Sequence, residues 1–290
     1  MSNLRLDKAP FDLDATLCCG QVFRWDKMGD WWYGVAGKSV LKVRQRGEEL
    51  EFANTDEKFV RRYFGLDDNL RQISRAIGKD AHIRKALEEF WGLRIIRQEP
   101  LECLISYICA TYKSIPAIKH MLNNLSRKFG EKVVFEETDF FGFPEPRRLA
   151  RASLAELADC GLGYRAKYVL ETSKRIFDDS FVLERLWQMP YEQAKLELCS
   201  LPGVGPKVAD CVLLFGLGKF EAFPVDVWVK RVLLNHYVGQ LTTEAVQRLS
   251  KTEGLSNTQY RLLSEFGRGY FGKFAGYAQE YLYHFERLYG

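Results

Sequence analysis

The sequence predicts an α+β protein, a twisted antiparallel sheet with a few helices at the N-terminus followed by an all-helical region. Three observations carry this. Between Gly20 and Asn54 apolar residues alternate with period two and are rich in Trp, Tyr, Phe and Val, the pattern of half-buried strands. After Thr55-Asp56 the apolar spacing changes to that of a helix and keeps it to the C-terminus. Within the helical part, residues 198–229 read as a helix end, a tight turn and a new helix, and the polar residues that stand out gather there. The change of pattern puts one domain over residues 1–95 and a second over 96–290.

In chain order, Val22, Phe23 and Trp25 lead to a turn at Met28-Gly29-Asp30. Trp31–Val35 turns at Gly37-Lys38 into Val40–Arg44, and Arg46-Gly47-Glu48 turns that strand into Leu50–Phe52. Helices follow with Phe59, Tyr63 and Phe64, then Leu70, Ile73 and Ile77, then Ile83, Leu87, Phe90 and Trp91 on their inner faces. Beyond residue 95 the pattern predicts helices alone. One starts at Glu99-Pro100, the next at Ser114-Ile115-Pro116, and residues 135–146 read as a loop. Ser153 with Glu156 and Ser256 with Gln259 have the spacing of capping boxes, and a last helix runs from Phe274 to Leu288.

Bulk properties bound the function loosely. The chain has 290 residues, 47% of them hydrophobic and 28% charged, enough for a sizeable core. A net charge of +4 permits nucleic-acid binding without arguing for it. The seven cysteines lack metal-ligand spacing, so reduced thiols are expected. With no apolar run fit for a signal peptide or a membrane span, a soluble intracellular protein is expected.

The turn Leu201-Pro202-Gly203-Val204-Gly205-Pro206 closes one helix and opens the next, with Pro206 suited to the first helical position. The free amides of Gly203, Val204 and Gly205 then collect at a helix N-terminus, a ready phosphate site. Lys207 sits in the first turn of the new helix, where the dipole opposes an ammonium. It is either a surface lysine or an amine held ready to lose its proton, and a neutral amine is a nucleophile. Asp226 follows Pro224-Val225 and precedes an apolar helix, so it reads as an N-cap.

Hairpin, lysine and aspartate in this order resemble the helix-hairpin-helix DNA glycosylases, and LPGVGPKVADC with PVDV resembles their 8-oxoguanine DNA glycosylase branch. The likeness covers nearly the whole chain. Cys19–Trp25 is similar to the family's GQ-x-FRW segment, Leu162–Tyr168 to its LGYRA-x-Y turn, and Gly276–Gln279 to its AGWAQ helix. The resemblance implies two helical subdomains flanking an active-site cleft, and a monomer that acts on double-stranded DNA containing 8-oxoguanine in the cytoplasm at the nucleoid. Such an enzyme flips the damaged base out of the stack. By the same resemblance Lys207 attacks the sugar and becomes a Schiff base, β-elimination nicks the strand, and Asp226 stabilises the cationic sugar.

The resemblance assigns further roles. The Gly20 carbonyl would accept the N7–H that distinguishes 8-oxoguanine from guanine, Gln279 would take the base's Watson–Crick edge, and Cys211 and Tyr283 would sandwich its ring. Tyr164 fits a wedge at the emptied site and Arg165 a reader of the widowed cytosine. No cofactor is implied, although carbonyls of Cys199, Leu201 and Val204 match a monovalent or calcium ion site used with DNA bound. The C-terminal cysteines of an iron–sulfur glycosylase such as endonuclease III are absent, and a non-catalytic DNA-binding hairpin is the reading from another class. Two departures stand out. Where many relatives have three asparagines and then an arginine, this chain has Tyr112-Lys113-Ser114 and Ala117, and Trp228 replaces a phosphate-side histidine. A weaker preference for cytosine opposite the lesion is expected, with Tyr112 stacking into the space.

Overall fold

The computed structural model describes residues 1–6, 9–37, 39–250 and 254–290. Its N-terminal part is a five-stranded antiparallel sheet of β1 (Ser2–Arg5), β2 (Trp25–Met28), β3 (Trp31–Ala36), β4 (Ser39–Arg46) and β5 (Glu49–Ala53), in the order β1-β5-β4-β3-β2. The Gly37-Lys38 turn is bracketed by the pair Ala36 and Ser39, and Lys38 itself lies outside the described residues. Trp25 faces Gly34 across the ladder, where a Cβ would come within 2.3 Å of the indole. Only glycine lets that ring lie flat on the neighbouring strand.

Two features differ from expectation here. The first strand of the meander begins at Trp25, so Val22 and Phe23 precede it in a loop. The N-terminus adds β1, whose Leu4 pairs with Leu50 and is buried. One apolar residue in four gives no alternation to read; β1 exists because β5 offers it an open edge.

On the sheet pack α1 (Leu13–Cys18), capped by the Asp12 side chain, and α2 (Glu57–Tyr63). Leu13, Leu17, Val60 and Phe64 close a core with Trp25, Leu41, Val43 and Phe52. Next come α3 (Leu70–Ile77) and α4 (Ala81–Glu89). Their inward residues Leu70, Ile73, Ile83 and Leu87 join a second, larger core shared with the helices beyond residue 95. Trp91, expected on the inner face of α4, is exposed instead, because the helix stops at Glu89 and only Phe90 turns inward.

The remaining helices are α5 (Pro100–Ala110), α6 (Ile115–Phe129), α7 (Pro146–Ala150), α8 (Leu154–Leu157), α9 (Arg165–Phe177), α10 (Tyr191–Cys199), α11 (Pro206–Cys211), α12 (Val227–His236), α13 (Thr243–Ser250), α14 (Asn257–Phe271) and α15 (Ala275–Tyr289). Both expected capping boxes form, at Ser153 and Ser256.

The region beyond residue 95 is not wholly helical. β6 (Lys132–Phe135) and β7 (Thr138–Phe141) make a hairpin whose turn and second strand fall in the expected loop 135–146 and whose first strand precedes it. Its turn places Glu136 and Glu137 at φ 48° and 60°, a left-handed pair that hairpins usually fill with Asn and Gly. Tertiary contact stabilises it. Glu136 accepts from Lys42 Nζ at 2.7 and 2.8 Å and from the Tyr33 hydroxyl at 3.0 Å, and Tyr33 stacks on Phe140.

Candidate active site

The loop between α1 and β2 joins the two cores. Cys19 and Phe23 point into the helical core, while Val22 and Trp25 point into the sheet core. Gln21 between them is buried and holds the loop by its side chain. Its Nε2 donates to the carbonyls of Thr16 at 3.0 Å and Arg94 at 2.7 Å, and its Oε1 accepts from the Ile96 amide at 2.8 Å. Gly20 is thereby fixed at φ 106°, a conformation that favours glycine. A Cβ there would lie 3.3 Å from the Tyr283 ring and 3.1 Å from Arg287 Nη1. The expected partners Gly20 and Tyr283 are therefore neighbours, and the Gly20 carbonyl accepts no hydrogen bond among the described residues.

The hairpin forms as its sequence requires. Gly205 is the N-cap and Pro206 the first residue of α11. Gly203 has φ 78°, and a Cβ on it would stand 2.7 Å from Tyr168. Gly205, at φ −91°, faces open space. Behind the turn, Thr172 Oγ1 donates to the Pro202 carbonyl at 3.0 Å and Arg175 to the Ser200 carbonyl at 2.9 Å. One expectation is corrected. The Val204 amide is not available for a phosphate, because it donates to the Leu201 carbonyl at 3.1 Å and its side chain is buried. Among the described residues the amides of Gly203 and Gly205 have no acceptor, so they alone of the expected three are free.

Lys207 stands half-buried in the first turn of α11, its Nζ 5.0 Å from the centre of the Tyr107 ring. Beneath the helix Asp210, fully buried, accepts from Tyr191 at 2.6 Å, Tyr260 at 2.5 Å and Lys195 at 2.8 Å, which fixes how α11 sits. Asp226 caps α12 as expected, its Oδ1 accepting from the amides of Trp228 at 3.0 Å and Val229 at 2.9 Å. Burial raises its carboxyl above the ordinary value, against the pull of those amides and of the nearby Lys207 charge. Lysine and aspartate thus share one site.

The floor of that site comes from α11 and α15. Burial pushes the Cys211 thiol up to about 12, with Lys207, Asp226 and Glu280 all within electrostatic reach. Gln279 is 5% exposed, and its buried Oε1 meets no donor among the described residues. A buried acceptor left unpaired costs roughly 1–3 kcal/mol, which a bound donor would recover. Tyr283 is half-buried, and its hydroxyl is raised by burial and by the Asp226 charge.

Three residues of this site escaped the sequence reading. Gln21 and Glu280 each stand next to a residue that was singled out, and Tyr107 lies mid-helix in α5. Glu280 is 2% exposed with an unpaired Oε1. Burial pushes it up to about 7, against the pull of the neighbouring Cys19 thiol and of the charges of Arg287 and Lys207. Its adjacency to Gln279 was the only signal.

Tyr164 and Tyr112 are both exposed, Tyr112 at 90% and at φ 55°, an uncommon place for an aromatic residue. Tyr164 packs edge-on against Tyr168, which backs Gly203, so the wedge candidate and the hairpin are mechanically joined. Arg165 is not a loop residue reaching outward. It is 4% exposed, with its guanidinium 4.4 Å from the Tyr164 ring centre and donating to the Thr111 carbonyl. The first residue of α9 points inward because helical packing, not the Gly-Leu-Gly turn before it, sets its direction.

Residues 3–104 match the family model of the 8-oxoguanine DNA glycosylase N-terminal domain, and residues 105–257 that of the HhH-GPD superfamily base excision DNA repair proteins. The chain is 32% identical to the N-glycosylase/DNA lyase OGG1 of Arabidopsis thaliana over 97% of its own length and 78% of that protein's. It is 33% identical to the N-glycosylase/DNA lyase of Saccharomyces cerevisiae over 81% and 70%. Its fold is similar to that of the 8-oxoguanine glycosylase/lyase of Clostridium acetobutylicum in complex with double-stranded DNA containing cytosine opposite 8-oxoG. There the TM-score is 0.86 and the identity 30%, over 99% of this chain and 98% of that one. The chain therefore belongs to the 8-oxoguanine DNA glycosylase family, within the HhH-GPD superfamily.

Proposed function

We propose that the protein is a bifunctional glycosylase and lyase that removes 8-oxoguanine from double-stranded DNA in base excision repair. The observation that carries this is the meeting of Lys207 and Asp226 with Glu280 and Tyr283 of α15, the helix on which Gln279, four residues before Tyr283, holds a buried, unpaired acceptor. The free amides of Gly203 and Gly205 hold a phosphate beside the lesion, and Tyr164 enters the gap left by the flipped base. The Watson–Crick edge of the base presents N1–H and N2–H donors, which suit Gln279 Oε1. The N7–H of the oxidised base suits the Gly20 carbonyl, while Cys211 and Tyr283 border the ring.

Lys207, once its proton is lost, donates its lone pair to C1′. The C1′–N9 bond breaks, and its electrons leave with the base, which takes up a proton. The nitrogen lone pair then forms C=N as the C1′–O4′ bond breaks, its electrons going to O4′, which takes up a proton, and the protonated Schiff base results. Loss of a C2′ proton then expels the 3′ phosphate with the electrons of its C3′–O bond. Asp226 faces the positive charge that develops on the sugar. Neutral carbonyl donors at Cys199, Leu201 and Val204 fit a hard cation at the hairpin, which would brace the turn against the phosphate. The Leu201 carbonyl, already accepting from Val204, keeps its second lone pair for such an ion. No helix of the described residues is long and apolar enough to cross a membrane. The DNA substrate of this reading favours a cytoplasmic location at the nucleoid.

Borohydride trapping tests the reading. A covalent adduct with 8-oxoguanine duplex that Lys207→Gln abolishes is the expected result. Tight binding without an adduct in the wild-type protein would leave only a DNA-binding hairpin.

A further inference from the structure

Outside this site, one cluster of metal-ligating side chains joins three helices far apart in sequence. His82 lies in the first turn of α4, His236 is the last residue of α12, and Glu286 lies in the last turns of α15. One ligand atom from each lies within 4.8 Å of the others. The two imidazoles lie face to face, with ring centres 3.6 Å apart and planes 15° from parallel. His82 Nε2 is buried and meets no partner among the described residues. Phe285 and Tyr237 set their rings edge-on against His82, so aromatic rings wall one side of the cluster. Glu286 is 4% exposed, whereas His236 is exposed and gives the cluster an opening to solvent.

We propose that His82, His236 and Glu286 form a binding site for a zinc-class divalent cation that clamps α4, α12 and α15 together. Two imidazoles and one carboxylate are the donor set of zinc and its first-row neighbours, and nitrogen donors disfavour magnesium and calcium. Zinc bonds of about 2.0 Å in a tetrahedron place donors roughly 3.3 Å apart, so the cluster has to contract. His236, the exposed member, swings out of the stack so that its lone pair converges with that of His82. Water fills the fourth position from the open side. A cation there is also favoured by the C-terminal end of α12, where unpaired carbonyls give the helix its negative pole.

The place of the clamp gives it a purpose. α12 starts at Asp226 and ends at His236, and α15 carries Gln279 and Tyr283 ahead of Glu286. One ion at the far ends of both helices fixes the distance between the carboxylate and the base-recognition floor.

Untagged full-length protein titrated with cobalt(II), followed by zinc competition, reads the site directly. The expected result is one equivalent bound, with the visible absorption of four-coordinate cobalt, displaced by zinc but not by magnesium. Thermal unfolding should shift upward with zinc and not with magnesium. His236→Ala, a change at an exposed residue, should weaken binding at least tenfold and remove the thermal shift, and Glu286→Gln should weaken binding while the protein stays folded. Failure to bind zinc or cobalt would overturn the proposal. So would binding that His236→Ala leaves intact, or a cobalt spectrum dominated by thiolate charge transfer, which would place the ion on cysteine.

Discussion

Glu280→Gln is the most informative single change at the active site, because it keeps the side-chain shape and removes a charge the fold must otherwise bury. An exposed glutamate titrates near 4.5, and burial pushes Glu280 up to about 7. Below pH 4.5 the carboxyl is protonated in both folded and unfolded chains and adds nothing to the pH dependence. Between 4.5 and 7 the unfolded chain gives up its proton while the folded one keeps it, so stability falls as pH rises. Above 7 both forms are ionised and the loss is constant. At about 1.4 kcal/mol per pH unit, the whole interval amounts to about 3 kcal/mol, of which about 2 kcal/mol falls between pH 5.5 and 8.5. Urea unfolding of wild type and Glu280→Gln at those two pH values measures it. The variant should lack that part of the decline and be the more stable protein at pH 8.5. Parallel pH dependences for the two would refute the idea that a buried carboxyl at 280 ionises near neutrality.

Other outcomes follow from the same geometry. Gly203→Ala meets both a left-handed backbone and the Tyr168 ring, so it should cost about 1–3 kcal/mol in urea unfolding and weaken DNA binding. Gly205→Ala has open space and an ordinary φ; it should cost under about 1 kcal/mol while still weakening DNA binding, since its new methyl faces the phosphate. Asp226→Asn keeps a capping oxygen for Trp228 and Val229, so stability and DNA affinity should hold. Single-turnover excision should slow by roughly a hundredfold or more. With Tyr112-Lys113-Ser114 and Ala117 beside a buried Arg165, nicking rates on duplexes that differ only in the base opposite the lesion should span less than about tenfold. A single well-made base contact is worth about 1–3 kcal/mol, so a steeper cytosine preference would mean that an intact reader exists elsewhere.

The chain's local chemistry determined a good deal by itself. A proline and glycines fix the hairpin wherever it is placed, an aspartate before an apolar helix caps it, and both Ser-x-x-Glu/Gln boxes closed as their spacing demanded. These are short-range effects, settled within one turn of backbone. What lay beyond that range was decided by packing. Ser2–Arg5 is a strand only because β5 has a free edge, and Glu136-Glu137 makes a turn because Lys42 and Tyr33 hold it. Arg165 faces inward and Val204 spends its amide inside the turn, two directions that residue type cannot specify. Glu280 owes its perturbed carboxyl to burial among Cys19, Arg287, Asp226 and Lys207, which come from four separate segments of sequence. A motif names the groups that can do the chemistry; desolvation and mutual distance, which make them do it, exist only once the chain has closed on itself.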